Sequence, residues 1–454
     1  MSMRHSMDLT TGSVTKKLIL FAIPILLSNM LQQLYNAADM VVVGQFASPT
    51  ALGAVGSTSS INTLLLSMFN GLAIGANVVC ANSYGARRKD ELYKAMYTSL
   101  LLALIGGLAL AVIGVLAIRP LLQMMGSPEN VIDQAALYMR IILCGVPASL
   151  IYNFGAGILR AYGDTKRPMY ILGVCGLINV VLNLILVICF HMDVAGVAVA
   201  TVISQLCSAV AVLWILFSKK GEYKLRLKDV RIHAKQLRSI ISIGIPCGVN
   251  GMLFSISNVT LQSSVNAMGD VAVSASAASD SVTNFVFIFL SSFYTACVSF
   301  AGQCFGAKRY SRIDKLMVSS ILVAQGLVAA VSLFATFYPQ TLIGLFKNDP
   351  EVIRLAAPKL LLVTWSYILY AIPEMATGCQ RGMGNSTWPT ICNILCICAS
   401  RVLWVAFVFP RLENNLISLF LCYPVSYVLA ATLQIASFRR HRRKFTDSEQ
   451  AVSP

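Results

Sequence analysis

The stretch from Phe21 to Phe46 reads FAIPILLSNMLQQLYNAADMVVVGQF and decides the fold. It is long enough to cross a bilayer, which takes about 20 mostly apolar residues in a helix. The stretch nevertheless carries Asp39, and a carboxylate in hydrocarbon costs at least about 2.5 kcal/mol on the insertion scale. Such a residue usually faces the inside of a helix bundle or a water-filled cavity. Asp39 is therefore either a proton or cation site that opens into a cavity, or a hydrated side chain at the outer end of the helix.

Four further polar side chains accompany Asp39 on this stretch. Tyr35 precedes it by four residues and so shares its helix face, with Gln32 and Asn36 at the flanks of that face. We expect Tyr35 to belong to the same ion site as Asp39. Asn36 and Gln33 are expected to face the substrate or its gate.

The composition is that of a polytopic, all-α membrane protein. Hydrophobic residues make up 57% of the 454 residues, charged residues only 12%, and the mean hydropathy is +0.72. No soluble domain of this length is built in this way. Most basic residues behind the net charge of +16 lie between apolar runs, so nucleic acid is not an expected partner. Most of the 13 cysteines lie inside apolar runs as small hydrophobes, and we expect neither a metal site nor a disulfide framework.

Twelve apolar runs follow one another, separated by charges or helix breakers. They are 18–43, 53–80, 95–118, 134–158, 168–190, 195–217, 240–267, 273–303, 316–338, 354–379, 390–409 and 416–438. With the N-terminus in the cytoplasm, 28 of the 35 Lys and Arg residues fall on the cytoplasmic side. Because cytoplasmic loops are enriched in Lys and Arg, we predict twelve spans of a bacterial inner membrane with both termini in the cytoplasm.

The chain repeats itself at a constant offset. NSYGARR at 82–88 returns as QCFGAKR at 303–309, and RAYGDTKRP at 160–168 returns as RGMGNSTWP at 381–389, each 221 positions later. Each copy holds six spans, an even number, so both copies have the same orientation in the membrane. We therefore predict two parallel six-helix repeats, with a substrate carried between the halves near the bilayer midplane.

This repeat divides the chain into four parts. They are an N-terminal six-helix lobe (1–217), a basic cytoplasmic linker (218–238), a C-terminal six-helix lobe (239–438) and a basic cytoplasmic tail (439–454). The tail contains RRHRRK and is typical of an anchor near anionic lipid.

Taken in order, these motifs resemble those of the multidrug and toxic compound extrusion (MATE) family of secondary transporters. The residues that carry the resemblance are Asp39 with Gly44, Gly85-Ala86, LRAYGDTKRP at 159–168, Asn179, Gly196, Ala200-Thr201, and Gln303 with Gly306-Ala307. The resemblance implies two six-helix lobes that form a V around a central cavity. It also implies export of organic cations driven by inward flow of protons or sodium ions, with no cofactor. We expect the protein to act as a monomer.

The resemblance also implies a coupling site in the N-terminal lobe. In one branch of the family that site is built from residues that fall on Asp39, Asn179, Asn183 and Thr201. Asn183 stands where that branch has a second carboxylate. One carboxylate instead of two lowers the negative charge of the site, which favours a proton carried by Asp39 over sodium.

The C-terminal lobe carries three further candidate residues. Glu374 lies 221 positions after Asn153, so the repeat places a polar group at the same site in both lobes. We predict that both act in substrate binding or gating; alternatively, Glu374 reaches the cytoplasmic surface. Asp280 and Arg401 lie at similar depths in their spans, and we expect them to form a structural charge pair.

Three other functions compete with export of organic cations. A flippase of the same superfamily moves a lipid-linked precursor through a cavity lined with Arg and Lys. Predicted spans 1, 2, 7 and 8 of this chain carry Lys and Arg only in their loops, so such an anionic cargo fits poorly. An intramembrane enzyme needs a catalytic constellation, and the four histidines are all terminal or in loops. We therefore predict that the protein is not an enzyme. A passive channel would dissipate an ion gradient without substrate.

Overall fold

The computed structural model describes residues 6–46, 49–124, 129–218, 225–347 and 349–445. Within these ranges twelve helices are long and apolar enough to cross a membrane, and there is no strand. They are α1 (Val14–Phe46), α2 (Pro49–Gly85), α3 (Lys89–Met124), α4 (Glu129–Ala161), α5 (Lys166–Cys189), α6 (Asp193–Phe217), α7 (Ala234–Asn266), α8 (Asp270–Gly306), α9 (Tyr310–Phe337), α10 (Pro350–Gly382), α11 (Thr387–Arg411) and α12 (Leu416–Arg443). The predicted all-α fold with twelve spans is confirmed.

Most helices are longer than the apolar runs from which they were predicted. Helix α1 has 33 residues, which at about 1.5 Å per residue is roughly 50 Å, against about 30 Å of hydrocarbon. Hydropathy marks only the part of a helix that lipid or the core surrounds. The polar helix ends beyond it are fixed by backbone hydrogen bonding, and this is why the predicted bounds are too short.

The sequence repeat is also a repeat of backbone conformation. Arg87 and Lys308, which lie 221 positions apart, both adopt the left-handed region, with φ of 57° and 55°. Gly163 and Gly384, at the same offset, have φ of 89° and 84°. Glycine is suited to these two positions because it has no Cβ to clash there. Both repeats therefore use the same kind of tight turn, after α4 and after α10, to reverse the chain.

Packing divides the chain into two compact units. The first contains the chain up to Asp8 and Ile23–Gly248, and the second contains Leu9–Ala22 and the chain from Val249. The first part of α7 belongs to the first unit because glycines bring it against α2. A Cβ on Gly71 would lie 2.2 Å from the backbone nitrogen of Gly248, so the two backbones touch there. The division by repeat, at 217 and 239, remains a prediction about the chain's two lobes.

Each unit has a helix surrounded by its neighbours. In the first unit, α4 packs against α2, α3 and α6, and Leu150 and Phe154 on α4 are fully buried. In the second unit, α8 packs along α10, where a Cβ on Gly382 would lie 2.6 Å from the Cβ of Ala301. In the first unit the central helix packs against α6, which carries Thr201, and in the second unit α8 and α10 themselves carry Asp280, Lys359 and Glu374.

Candidate functional site

Three helices of the first unit bring the predicted ion-site residues together. The side-chain amide of Asn183 on α5 donates to the carboxylate of Asp39 on α1, and also to Oδ1 of Asn179 at 3.4 Å. The Asn179 amide in turn donates to Oγ1 of Thr201 on α6 at 3.4 Å. Asn179 and Asn183 are buried, and Asp39 is partly buried. A continuous chain of polar contacts therefore links α1, α5 and α6 around one carboxylate.

Helix α5 changes its winding directly after these asparagines. The segment Ile185–Cys189 is π-helical, and single π-turns occur frequently at functional sites. Oδ1 of Asn183 is buried and accepts no hydrogen bond from any residue that the structure describes. The site thus holds an amide oxygen whose hydrogen-bonding capacity is unused, next to the Asp39 carboxylate.

This polar cluster borders a cavity of about 130 Å³ in the first unit. Its lining residues are Gln32, Tyr35, Asn36, Asp39, Ser149, Tyr152, Asn153, Leu172, Cys175, Gly176, Asn179, Thr201, Ser204, Gln205 and Ser208. Asp39 is the single carboxylate among them, and no lining residue is Lys or Arg. Asn36 and Asn153 therefore share a cavity with Asp39, whereas Gln33 is exposed and does not line it.

Tyr35 is held at the cavity wall by α5. Its hydroxyl donates to the backbone carbonyl of Gly173 at 2.9 Å. Its ring fills the space over Gly176, where a Cβ would lie 1.8 Å from the ring carbon Cε2. The ring can adopt this position only because residue 176 has no side chain.

We expect Gly176→Ala to displace the Tyr35 ring and to break its hydrogen bond to Gly173. The displaced ring would move into the small cavity, and transport should fall several-fold at normal expression. Gly173→Ala is the matched control on the same helix, because a Cβ there meets only Leu31 at an ordinary 3.7 Å. Transport rates of both variants in vesicles test this; equal rates would show that the position of the Tyr35 ring does not matter.

The second unit contains a larger cavity, of about 300 Å³. Its lining residues are Phe254, Asn258, Leu261, Gln262, Asp280, Thr283, Asn284, Phe287, Tyr367, Phe420, Tyr423 and Tyr427. Aromatic rings and amides dominate this wall, and Asp280 is its single charged member. Glu374 does not line this cavity. It is partly buried on α10 and accepts a hydrogen bond from the Tyr370 hydroxyl at 2.8 Å.

The predicted pair of Asp280 with Arg401 is wrong. Asp280 accepts from the ammonium of Lys359 at 2.7 Å, and its side chain is 50% exposed whereas that of Lys359 is 0% exposed. Lys359 also donates to Oγ of Ser276 at 2.6 Å and lies 4.0 Å from the centre of the Phe420 ring. The buried ammonium of Lys359 is therefore paired with the Asp280 carboxylate, donates to the Ser276 hydroxyl and packs on the Phe420 ring.

Within the described part of the chain, no carboxylate pairs with Arg401. It is 1% exposed, its guanidinium lies 4.0 Å from the centre of the Tyr423 ring, and Nη2 donates to the Tyr427 hydroxyl at 3.0 Å. Equal depth in the membrane did not predict contact, because depth says nothing about the direction in which a helix points a side chain. The sequence analysis did not single out Lys359. The available signal was its position inside the predicted apolar run 354–379, where a cation needs a partner.

Comparison with known proteins identifies the class of molecule. The solved structure described as "Crystal structure of MATE in the bent conformation" matches 97% of this chain and 98% of its own, with a TM-score of 0.91 at 23% identity. A second, described as the outward-facing conformation of a multidrug resistance MATE family transporter, matches the same shares with a TM-score of 0.90 at 24% identity. The fold is therefore that of a membrane transporter with two repeats.

The family is shown by sequence. The profile of the family MatE matches residues 24–185 and again 246–405, which together exceed half of the chain and follow the repeat. The chain belongs to the MatE family, and the resemblance found in its motifs is confirmed. The probable multidrug resistance protein YoeA of Bacillus subtilis is 29% identical over 431 residues, which cover 93% of this chain and 92% of YoeA. The uncharacterized transporter YisQ of the same organism is 28% identical, over 76% of each chain.

Proposed function

We propose that this transporter exports amphipathic organic cations across the bacterial cell membrane in exchange for inward-moving protons, by alternating access. The observation that carries the proposal is the Asp39 carboxylate, held by Asn183 at the edge of a cavity that contains no other charge. The name of YoeA, a probable multidrug resistance protein, supports the substrate class. A single chain holds both repeats, so we propose a monomer as the working unit.

The choice of a proton rests on the charge of the site. Asn183 donates a hydrogen bond to Asp39, and Asn179 and Thr201 extend this polar chain without adding a second negative charge. One carboxylate among neutral partners suits reversible protonation better than retention of a bare sodium ion. In the proposed cycle Asp39 takes a proton from the outside, α1 with its internal Pro24 repacks, and drug is released before the proton leaves inward.

A flippase that moves a lipid-linked precursor is the alternative function. Such a cargo carries phosphate groups, which Arg and Lys recognise. Neither of the two cavities within the spans has a Lys or Arg in its lining. Their carboxylates, Asp39 and Asp280, would repel an anionic headgroup, so drug export is the better proposal.

Reconstitution in liposomes tests the proposal. Either a proton gradient or a sodium gradient is imposed, and movement of a fluorescent organic cation is followed. We expect the proton gradient to drive transport and the sodium gradient at constant pH to leave it at background. Transport driven by sodium alone would refute proton coupling, and collapse of either gradient without substrate would indicate a channel.

The proposed topology places both termini in the cytoplasm. Single cysteines at Lys220, Asn348 and Arg442 report on it, in a background where the exposed Cys144 and Cys189 are replaced by serine. Lys220 and Asn348 lie outside the described residues. An impermeant maleimide added to whole cells should label Asn348→Cys but neither Lys220→Cys nor Arg442→Cys until the cells are opened. Labelling at position 220 in intact cells would contradict the topology.

We further propose that Glu374 contributes to drug binding or gating. Glu374→Gln keeps an acceptor for the Tyr370 hydroxyl but removes the negative charge that attracts a cation. The apparent KM for organic cations should rise roughly fivefold to tenfold, which corresponds to about 1 kcal/mol. Glu351→Gln, at the exposed start of the same helix, is the matched control. An unchanged resistance profile with normal expression would favour a surface role for Glu374.

A further inference from the structure

A third cavity lies at one end of the spans of the first unit. It has a volume of about 530 Å³ and is formed by the start of α3 and by the segment 226–233 that leads into α7. That volume is within the range of ordinary small-molecule sites, about 300 to 1,000 Å³. The drug-transport proposal assigns no role to this cavity.

Its wall carries an excess of positive charge. Four basic residues line it, namely Lys94, Arg226, Lys228 and Arg231, against two acidic residues, Asp90 and Asp229. Among the described residues none of these four cations forms an ion pair; the nearby Lys235 and Arg88 are instead neutralised by Glu91. The cavity wall therefore has an excess of two positive charges, four cations against two carboxylates.

Two neutral groups in the wall add hydrogen-bond donors. Nε2 of His233 accepts from Nε of Arg231 at 3.2 Å, which puts the imidazole proton on the buried Nδ1. Burial, Arg231 and Lys94 all lower the pKa of His233, as expected in a positive surrounding. The Tyr97 hydroxyl accepts from the backbone N–H of Arg226 at 2.9 Å, so its own proton remains available.

One face of α3 forms the helical side of the cavity. Asp90, Tyr93, Lys94 and Tyr97 follow the spacing of neighbours on one side of a helix, in the first two turns of α3. The positive end of the α3 dipole lies in this first turn. Cationic side chains, unused donors and the helix dipole thus all favour an anion at the same place.

We propose that this cavity binds a phosphate-bearing anion. Guanidinium groups form charge-assisted, bidentate hydrogen bonds with phosphate oxygens, and here Arg226 and Arg231 supply them. Lys94 and Lys228 add point charge, and Asp90 and Asp229 limit the affinity. The phosphate can come from the headgroup of an anionic lipid, since the cavity lies just beyond the ends of α3 and α7, or from a soluble metabolite.

Isothermal titration calorimetry on the detergent-solubilised protein tests this with three probes. They are dioctanoyl-phosphatidylglycerol, the zwitterionic dioctanoyl-phosphatidylcholine, and glycerol 3-phosphate. We expect saturable binding of phosphatidylglycerol, of glycerol 3-phosphate or of both, and at least about tenfold weaker binding of phosphatidylcholine. Binding of glycerol 3-phosphate as tightly as the lipid identifies a soluble source, and binding of phosphatidylglycerol alone identifies the lipid. Failure of both anions to bind overturns the proposal.

Variants separate this site from general attraction to a basic surface. Arg226→Gln with Arg231→Gln should weaken binding of the preferred anion by at least about tenfold. Arg439→Gln with Arg440→Gln removes the same charge from exposed positions at the end of α12. This control should change the affinity for the preferred anion less than about twofold. Equal losses in the two double variants, or no loss in the first, would overturn the proposal.

The acidic residues give a test of opposite sign. Asp229→Asn removes negative charge from the wall and should tighten anion binding, whereas it would weaken binding if the cavity held a cation. Each variant is first compared with wild type in its melting temperature without ligand. Should the double arginine variant melt early, Lys94→Gln with Lys228→Gln replaces it, and the same loss of affinity is required.

Discussion

Asp39→Asn is expected to reduce gradient-driven export to the level of liposomes without protein. The amide has the shape of the protonated carboxyl group but cannot release a proton, so the ion-dependent step of the cycle cannot occur. The hydrogen bond from Asn183 has an acceptor in either case, because the asparagine carbonyl oxygen replaces a carboxylate oxygen. The variant should therefore fold and insert normally, and wild-type melting and expression are part of the prediction.

The control is a carboxylate that lies outside the cavity. Asp133 is 78% exposed and forms a surface ion pair with Arg119, of a kind that contributes about 1 kcal/mol or less. Asp133→Asn should therefore transport like wild type. If Asp39→Asn still pumps an organic cation against its gradient at the wild-type rate, Asp39 is not the coupling residue, and Glu374 or Asp280 becomes the candidate.

The parts of the structure that follow from composition and spacing were predictable. Twelve spans follow from apolar length, and the two repeats follow from the fixed offset of 221 between Gly85 and Gly306. The contact of Asp39 with Asn183 was partly predictable, because a buried acid needs polar partners and because the family resemblance indicated residues of α5. The packing of α5 beside α1, on which the contact also depends, is not specified by any local sequence pattern.

The parts that depend on the rotation of one helix against another were not predictable. Asp280 has its side chain directed to α10, where Lys359 meets it, and Arg401 is directed to the ring of Tyr423. A depth argument cannot distinguish these directions. The same limit applies to Gly176, whose role is visible only because the Tyr35 ring occupies its missing side chain.

The Asp280–Lys359 pair gives the second large expected effect, and its two members should not be equivalent. Asp280→Asn leaves the ammonium of Lys359 fully buried without a counter-charge, because the amide oxygen that replaces the carboxylate, Ser276 and the Phe420 ring are all neutral. Breaking a buried pair in this way costs about 3 to 5 kcal/mol. Lys359→Met leaves the Asp280 carboxylate, which is half exposed to the cavity and also accepts from Ser276 at 3.2 Å. Water can replace the lost partner there, so the cost should be smaller, about 1 to 3 kcal/mol.

The double variant distinguishes a true pair from two independent residues. Asp280→Asn with Lys359→Met removes both charges, and so it should be more stable than Asp280→Asn alone. Unfolding free energies in detergent, compared in a double-mutant cycle, should show a coupling of about 1 kcal/mol or more. Additive losses, or wild-type stability of Asp280→Asn, would contradict the buried pair. With the pair neutralised the C-terminal cavity has no charged residue in its wall, so drug transport that survives in the double variant would depend on carboxylates outside that wall, Asp39 and Glu374.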